Sequence, residues 1–252
     1  MIDILSHCGS KPGYNVAVYT SLILLVLRLP NDATYHCISG FPGVSIRMMP
    51  LSHGRFGEET TYHSSAFFIR HCASQNDTAR EFLFFGDVEP DSVATEPHNL
   101  DIWRAAAAMI PDTLNTIFIE CSYPIGRPDN ELFGHLNPEH LTAELKRLAT
   151  EVVNVQTRTR RPRSSQEWTS DEEPVHARKR QRRGNPTASL RGALTGLRVY
   201  IIHCKDDLRS AYTQPIHEAI ACQVRELVEA AELGAEIIGV AQGMKIGMHH
   251  NA

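Results

Sequence analysis

The chain contains no Cys-x-x-Cys pair, and its six cysteines (Cys8, Cys37, Cys72, Cys121, Cys204 and Cys222) fall at no framework spacing. A disulfide-built secreted domain is therefore not expected, and a reduced intracellular protein fits. No Gly-rich phosphate loop and no Gly-x-Ser-x-Gly elbow occur, which removes nucleotide-triphosphatase and serine-hydrolase chemistry. Long apolar runs are scarce. Val16 to Leu27 is aliphatic apart from Tyr19, Thr20 and Ser21, but twelve residues do not span a bilayer, and a secretory peptide would carry more positive charge before it. No membrane association is expected. Positive charge is also sparse outside one segment: residues 158–191 hold ten of the 25 Lys and Arg but four of the 29 Asp and Glu. The remainder has 15 basic against 25 acidic residues, and such an acidic body does not suit a nucleic-acid partner, whose phosphates require clustered cations.

With 252 residues, 42% of them apolar, the chain can bury a core as one α/β domain or two small ones. Thirteen histidines are compatible with metal. The stretch Glu81-Phe-Leu-Phe-Phe-Gly-Asp-Val-Glu89 reads as a buried strand that stops at Gly86-Asp87, the position where α/β folds present chemistry. Around it, short apolar runs predict strands at Tyr35–Ser39, Val44–Met48, Ser65–Arg70, Thr116–Glu120, Leu197–His203 and Glu236–Val240, with a hairpin turn at Gln75-Asn76-Asp77. Asn99 is placed to cap a helix reaching about Met109. Asn137 as cap and Pro138 as first helical residue start another, with Leu141, Leu145, Leu148 and Val152 on one face. A third helix is expected over Pro215–Leu233, completing a β-α-β unit.

This layout puts His53, Asp87 and His203 at strand ends, with His135 just before a helix. Imidazole and carboxylate are the ligands of hydrolytic zinc or manganese sites. Any one of these histidines alone is better explained as a satisfied core or surface residue; their shared placement is what raises the metal reading.

The blocks Leu51-Ser-His53-Gly54, Ser64-Ser-Ala-Phe-Phe-Ile69, Phe84-Phe-Gly-Asp87, Ile119-Glu-Cys-Ser-Tyr-Pro124, Leu132-Phe-Gly-His135-Leu136 with Pro138 and His140-Leu141, and Ile201-Ile-His203 resemble the class II 3′,5′-cyclic-nucleotide phosphodiesterases. The resemblance runs from about Tyr35 to Val240 and is most specific over Phe118–Leu141. It implies an α/β fold, a metallo-β-lactamase-like αββα sandwich, with two zinc ions at one edge of the paired sheets. By the same resemblance His53 completes the first metal site, Asp87 bridges both metals, His203 belongs to the second, and His135 protonates the departing 3′-oxygen. The implied reaction is two-metal hydrolysis of cyclic AMP, or cyclic GMP, to the 5′-nucleotide. The family's main motif, His-x-His-x-Asp-His, should precede His53, yet no His-x-His occurs in this chain. The sequence is accordingly read as an N-terminally incomplete sandwich, its alternative function being that of an inactive homologue that binds a partner.

The domain expected from this reading comprises 35–153 and 192–241, after an N-terminal segment 1–34 of uncertain structure and before a tail 242–252. Residues 154–191 read as a disordered insertion. Its clusters Arg160-Arg-Pro-Arg163 and Arg178-Lys-Arg-Gln-Arg-Arg183 have the layout of a bipartite nuclear-import signal, so an importin is a candidate partner and the expected location is cytoplasmic with a nuclear option.

Overall fold

The computed structural model describes residues 33–38, 40–56, 60–71, 79–160, 189–205 and 212–247. Among them a seven-stranded sheet follows chain order: β1 (His36–Cys37), β2 (Val44–Phe56), β3 (Thr60–His71), β4 (Arg80–Phe85), β5 (Leu114–Glu120), β6 (Arg198–Ile202) and β7 (Glu236–Gly239). The first four strands pair antiparallel, and β4 to β7 pair parallel. Each parallel step is a crossover through one helix: α1 (Asn99–Ala107), α2 (Pro138–Arg160) and α3 (Ile216–Ala230). Crossovers of one hand, stepping in one direction, deliver all three helices to the same face of the sheet. The α/β class expected from the sequence is therefore observed, as a mixed sheet with one helical layer among the described residues.

Alternation along the strands divides the sheet between two faces. Leu83 and Phe85, Ile117 and Ile119, and Val199 and Ile201 enter the main core with Trp103 of α1, Leu145 of α2 and Val224 of α3. Phe82, Phe118 and Tyr200 turn the opposite way and form a second cluster with Phe84, Ile202 and Ile238 at its margin. Strands apolar on both faces are what parallel pairing in a covered sheet demands.

Several local expectations need correction. His53 does not lie past a strand end: β2 continues to Phe56, and the pairing with β3 slips between Ser52 and Arg55. Such an irregularity re-aims a side chain within a strand. Asn99 is not the cap of α1; His98 occupies that position without a side-chain bond, and Asp91 instead accepts from the Asn99 and Leu100 amides at 2.9 and 3.0 Å. Helix α2 extends through Arg160, past the boundary expected at Asn154. Its predicted start holds: Asn137 Oδ1 accepts from the His140 amide at 2.9 Å. The apolar run Val16–Leu27, the turn at Gln75–Asp77 and the basic clusters of the insertion, apart from Arg160 at the end of α2, lie outside the described residues. Among those described, no helix is long and apolar enough to cross a membrane.

Candidate metal and acid centre

Strands β4, β5 and β6 run in one direction, and so does β2, being separated from β4 by two antiparallel steps. Their C-terminal ends, or in β2 the bulged distal part, therefore meet at one edge of the sheet, where open α/β sheets bind ligands. His53, Asp87, Glu120 and His203 arrive there from four different strands. His135 joins them from the loop before α2.

Asp87 stands between two imidazoles. Its Oδ2 is 3.6 Å from His53 Nε2 and its Oδ1 is 3.6 Å from His203 Nε2. That spacing is too long for a hydrogen bond but shorter than two zinc–ligand bonds of about 2.0–2.1 Å placed end to end. One carboxylate oxygen thus faces each imidazole. His53 Nδ1 lies 3.0 Å from the Gly134 carbonyl, which can only accept, so Nδ1 carries a proton and Nε2 is the nitrogen turned towards Asp87. A ligating histidine is ordinarily oriented in this way, by donation of its other N–H to a carbonyl. Two groups of donors close enough to hold an ion emerge: Asp87 with His135 and His203, and His53 with Glu120 and His135. Imidazole and carboxylate donors of this kind suit a divalent ion, and Asp87 belongs to the first group only. The sequence-predicted residues His53, Asp87, His135 and His203 are all brought together.

Tight backbone contacts fix this arrangement. Gly134 has φ of +78°, and a Cβ there would sit 2.9 Å from the His53 backbone. Gly86 carries no such φ, but a Cβ on it would lie 2.6 Å from Ser64 Oγ, so its lack of a side chain lets the Asp87 turn close on β3. The Gly86 amide then bonds the Ser65 carbonyl at 3.0 Å.

Three participants went unrecognised in the sequence. Glu120 is 1% exposed and places its two oxygens 2.8 and 2.9 Å from His135 Nδ1. Its Oε1 also accepts from the Val88 amide at 2.7 Å, which ties the residue after Asp87 to the base of His135. Ser122 Oγ lies 2.6 Å from Glu120 Oε2 and 3.0 Å from the His203 carbonyl. Lys205 Nζ lies 2.5 Å from His135 Nε2 and 5.3 Å from the centre of the Tyr123 ring. The signal that could have found Glu120 is a lone acid closing an otherwise apolar strand. Nearby cysteines are poor nucleophiles, since burial pushes the Cys204 thiol up to about 12 and Cys121 well above its ordinary value.

Residues 15–243 match the family model of cAMP phosphodiesterases class-II. The chain is 50% identical to a 3′,5′-cyclic-nucleotide phosphodiesterase of Schizosaccharomyces pombe over 104 residues, covering 40% of this chain and 28% of that one. It is 30% identical to the Candida albicans enzyme of the same description over 193 residues, 73% of this chain and 38% of that one. The crystal structure of unliganded yeast PDE1 superposes with a TM-score of 0.60 at 23% identity, covering 84% of this chain and 47% of that one, a likeness of fold. In each case the chain spans less than half the length of its relative.

Proposed function

The chain belongs to the class-II cAMP phosphodiesterases, and from that membership we propose that it hydrolyses the phosphodiester of a 3′,5′-cyclic nucleotide, cyclic AMP foremost, to the 5′-nucleotide. The observation that carries the proposal is Asp87 set between His53 and His203 with one oxygen towards each. Two divalent ions, zinc in this reading, would be held by His53 with Asp87 and by Asp87 with His203, and would supply Lewis acidity and an activated water.

The chain's own residues do the rest. Glu120 accepts a hydrogen bond from His135 Nδ1–H and so fixes the ring with Nε2 facing the site. Lys205 Nζ donates to Nε2 at 2.5 Å, so Nε2 takes up a proton once that ammonium turns to the substrate phosphate, and His135 then delivers this proton to the departing 3′-oxygen while water bonds to phosphorus and the P–O3′ bond breaks. Lys205, the cation nearest Nε2, pairs with a phosphate oxygen and neutralises charge as it develops. Cys37, Cys121, Cys204 and Cys222 are free thiols, in keeping with the intracellular setting that this reading assigns.

One observation favours a second reading, an inactive homologue that binds a partner: without His-x-His, each side of Asp87 has a single histidine facing it. Incubation of the purified chain with zinc and cyclic AMP decides between them. Release of 5′-AMP, abolished by a chelator and restored by zinc, is expected; no turnover at any zinc concentration, or 3′-AMP as product, overturns the proposal.

A further inference from the structure

The centre opens on one side into a cavity of about 540 Å³ whose floor includes His53 and His135. That volume lies within the range of small-molecule sites. Tyr62, Val93 and Phe133 line it, and each is well exposed, at 49%, 44% and 68%. Large apolar side chains scattered over a surface need no explanation, but these three converge on one concavity beside a polar centre. The Tyr62 ring lies 6.2 Å from that of His53, so the aromatic lining begins where the metal-facing imidazole ends.

Phe133 adds an independent observation. Its φ is +52°, a left-handed conformation that strains an aromatic L-residue. Nor does burial compensate, because the ring is more exposed than any other large apolar side chain described. Its backbone is held there by the following Gly134, packed on Gly54 and His53 and bonded through its carbonyl to His53 Nδ1. The loop thus keeps an unburied aromatic ring at the cavity mouth, against both local strain and water. Asn130, also lining the cavity, brings an amide with one acceptor and a donor group, the pattern that pairs with the N6/N7 edge of adenine.

We propose that this cavity is the base-binding subsite, in which a purine stacks against Phe133 and Tyr62 and presents its edge to Asn130. The inference rests on the cyclic-nucleotide reading for its substrate class, but its chemistry requires no metal: aromatic rings bind bases through their π-faces. The test uses adenosine, which has no phosphate, with ribose as control, titrated into the full chain and followed by saturation-transfer NMR. Purine protons should saturate and ribose alone should not bind. Phe133→Ala should weaken adenosine about tenfold, and Phe133→Trp should retain it. Phe133→Gly controls for folding, since it relieves the left-handed strain and should raise Tm while losing adenosine. Equal affinity in Phe133→Ala and the unchanged chain, or no binding by the unchanged chain, overturns the subsite. Adenosine bound through Phe133 by a chain that hydrolyses nothing sustains it and overturns only the catalytic reading.

Discussion

Glu120 and His135 are 15 residues apart in sequence and joined at 2.8 Å in a buried carboxylate–imidazole pair, with Glu120 also gripping the Val88 amide one residue beyond Asp87. His135 and the turn that carries Asp87 are thereby positioned by the same side chain. Replacing Glu120 by Gln keeps the shape but removes the charge that supports an imidazolium. Turnover of cyclic AMP should fall by about 10²-fold or more, with adenosine affinity unchanged. Full kcat in Glu120→Gln would rule out proton delivery by this pair.

Asp87→Asn should disturb metal more than fold, because the Asp87 side chain is 40% accessible. Zinc should raise the Tm of the unchanged chain and leave that of the variant where it was, with bound zinc reduced by at least half in elemental analysis. Equal zinc content in the two proteins would separate Asp87 from metal altogether.

Gly134→Ala is expected to be costly on two grounds, its left-handed φ and a Cβ 2.9 Å from the His53 backbone. A destabilisation of about 1–3 kcal/mol follows from mechanisms of this kind. Because the shift would be transmitted to His53, activity should fall further than stability alone explains. Urea denaturation alongside kinetics measures both.

Trp103 and Glu144 make a pH-dependent pair. Burial raises the Glu144 carboxyl, and the Trp103 hydrogen bond opposes that rise, Nε1 donating at 2.7 Å. A folded-state value above the unfolded one means stability that is present at low pH and lost as pH rises through the folded value. Trp103→Phe removes the opposing donor, so the value should rise further and the loss above it should grow. Denaturation at pH 5 and pH 7.5 should show the larger deficit at pH 7.5, superimposed on a packing loss independent of pH.

Much of the cluster was legible because the residues it brings together follow apolar strands. Phe84-Phe85-Gly86-Asp87 and Ile201-Ile202-His203 place the chemistry where the alternation stops. Asn137-Pro138 marks a helix start by local bonding alone, and the structure agrees. Glu120 and Lys205 were not legible in that way, since their roles depend on His135, 15 and 70 residues distant. Asp91 as the cap of α1 was missed because its bonds reach eight and nine residues forward, outside the window of a capping pattern. The 13-residue length of β2 was hidden by Pro50, which reads as a strand breaker. Yet β1 is only two residues long and pairs with Ser45 and Ile46, so among the described residues no strand pairs with β2 at Pro50 on that side, where the missing N–H breaks no ladder bond.

The strictly sequential order of the sheet has a kinetic meaning. Every described strand pairs with the next described strand in the chain, so this sheet can zip outwards from any nucleated pair without closing a loop around described strands still unplaced. Between α2 and β6 the chain is long, but loop-closure entropy grows only with the logarithm of length, about 0.6 kcal/mol per doubling, and that connection adds little delay. His53, Asp87, Glu120 and His203 come from β2 and from the turns or ends of β4, β5 and β6, so their convergence completes only after zipping has crossed five strands. Appearance of metal affinity during refolding should therefore lag behind β-structure, making the centre a late reporter of the whole row.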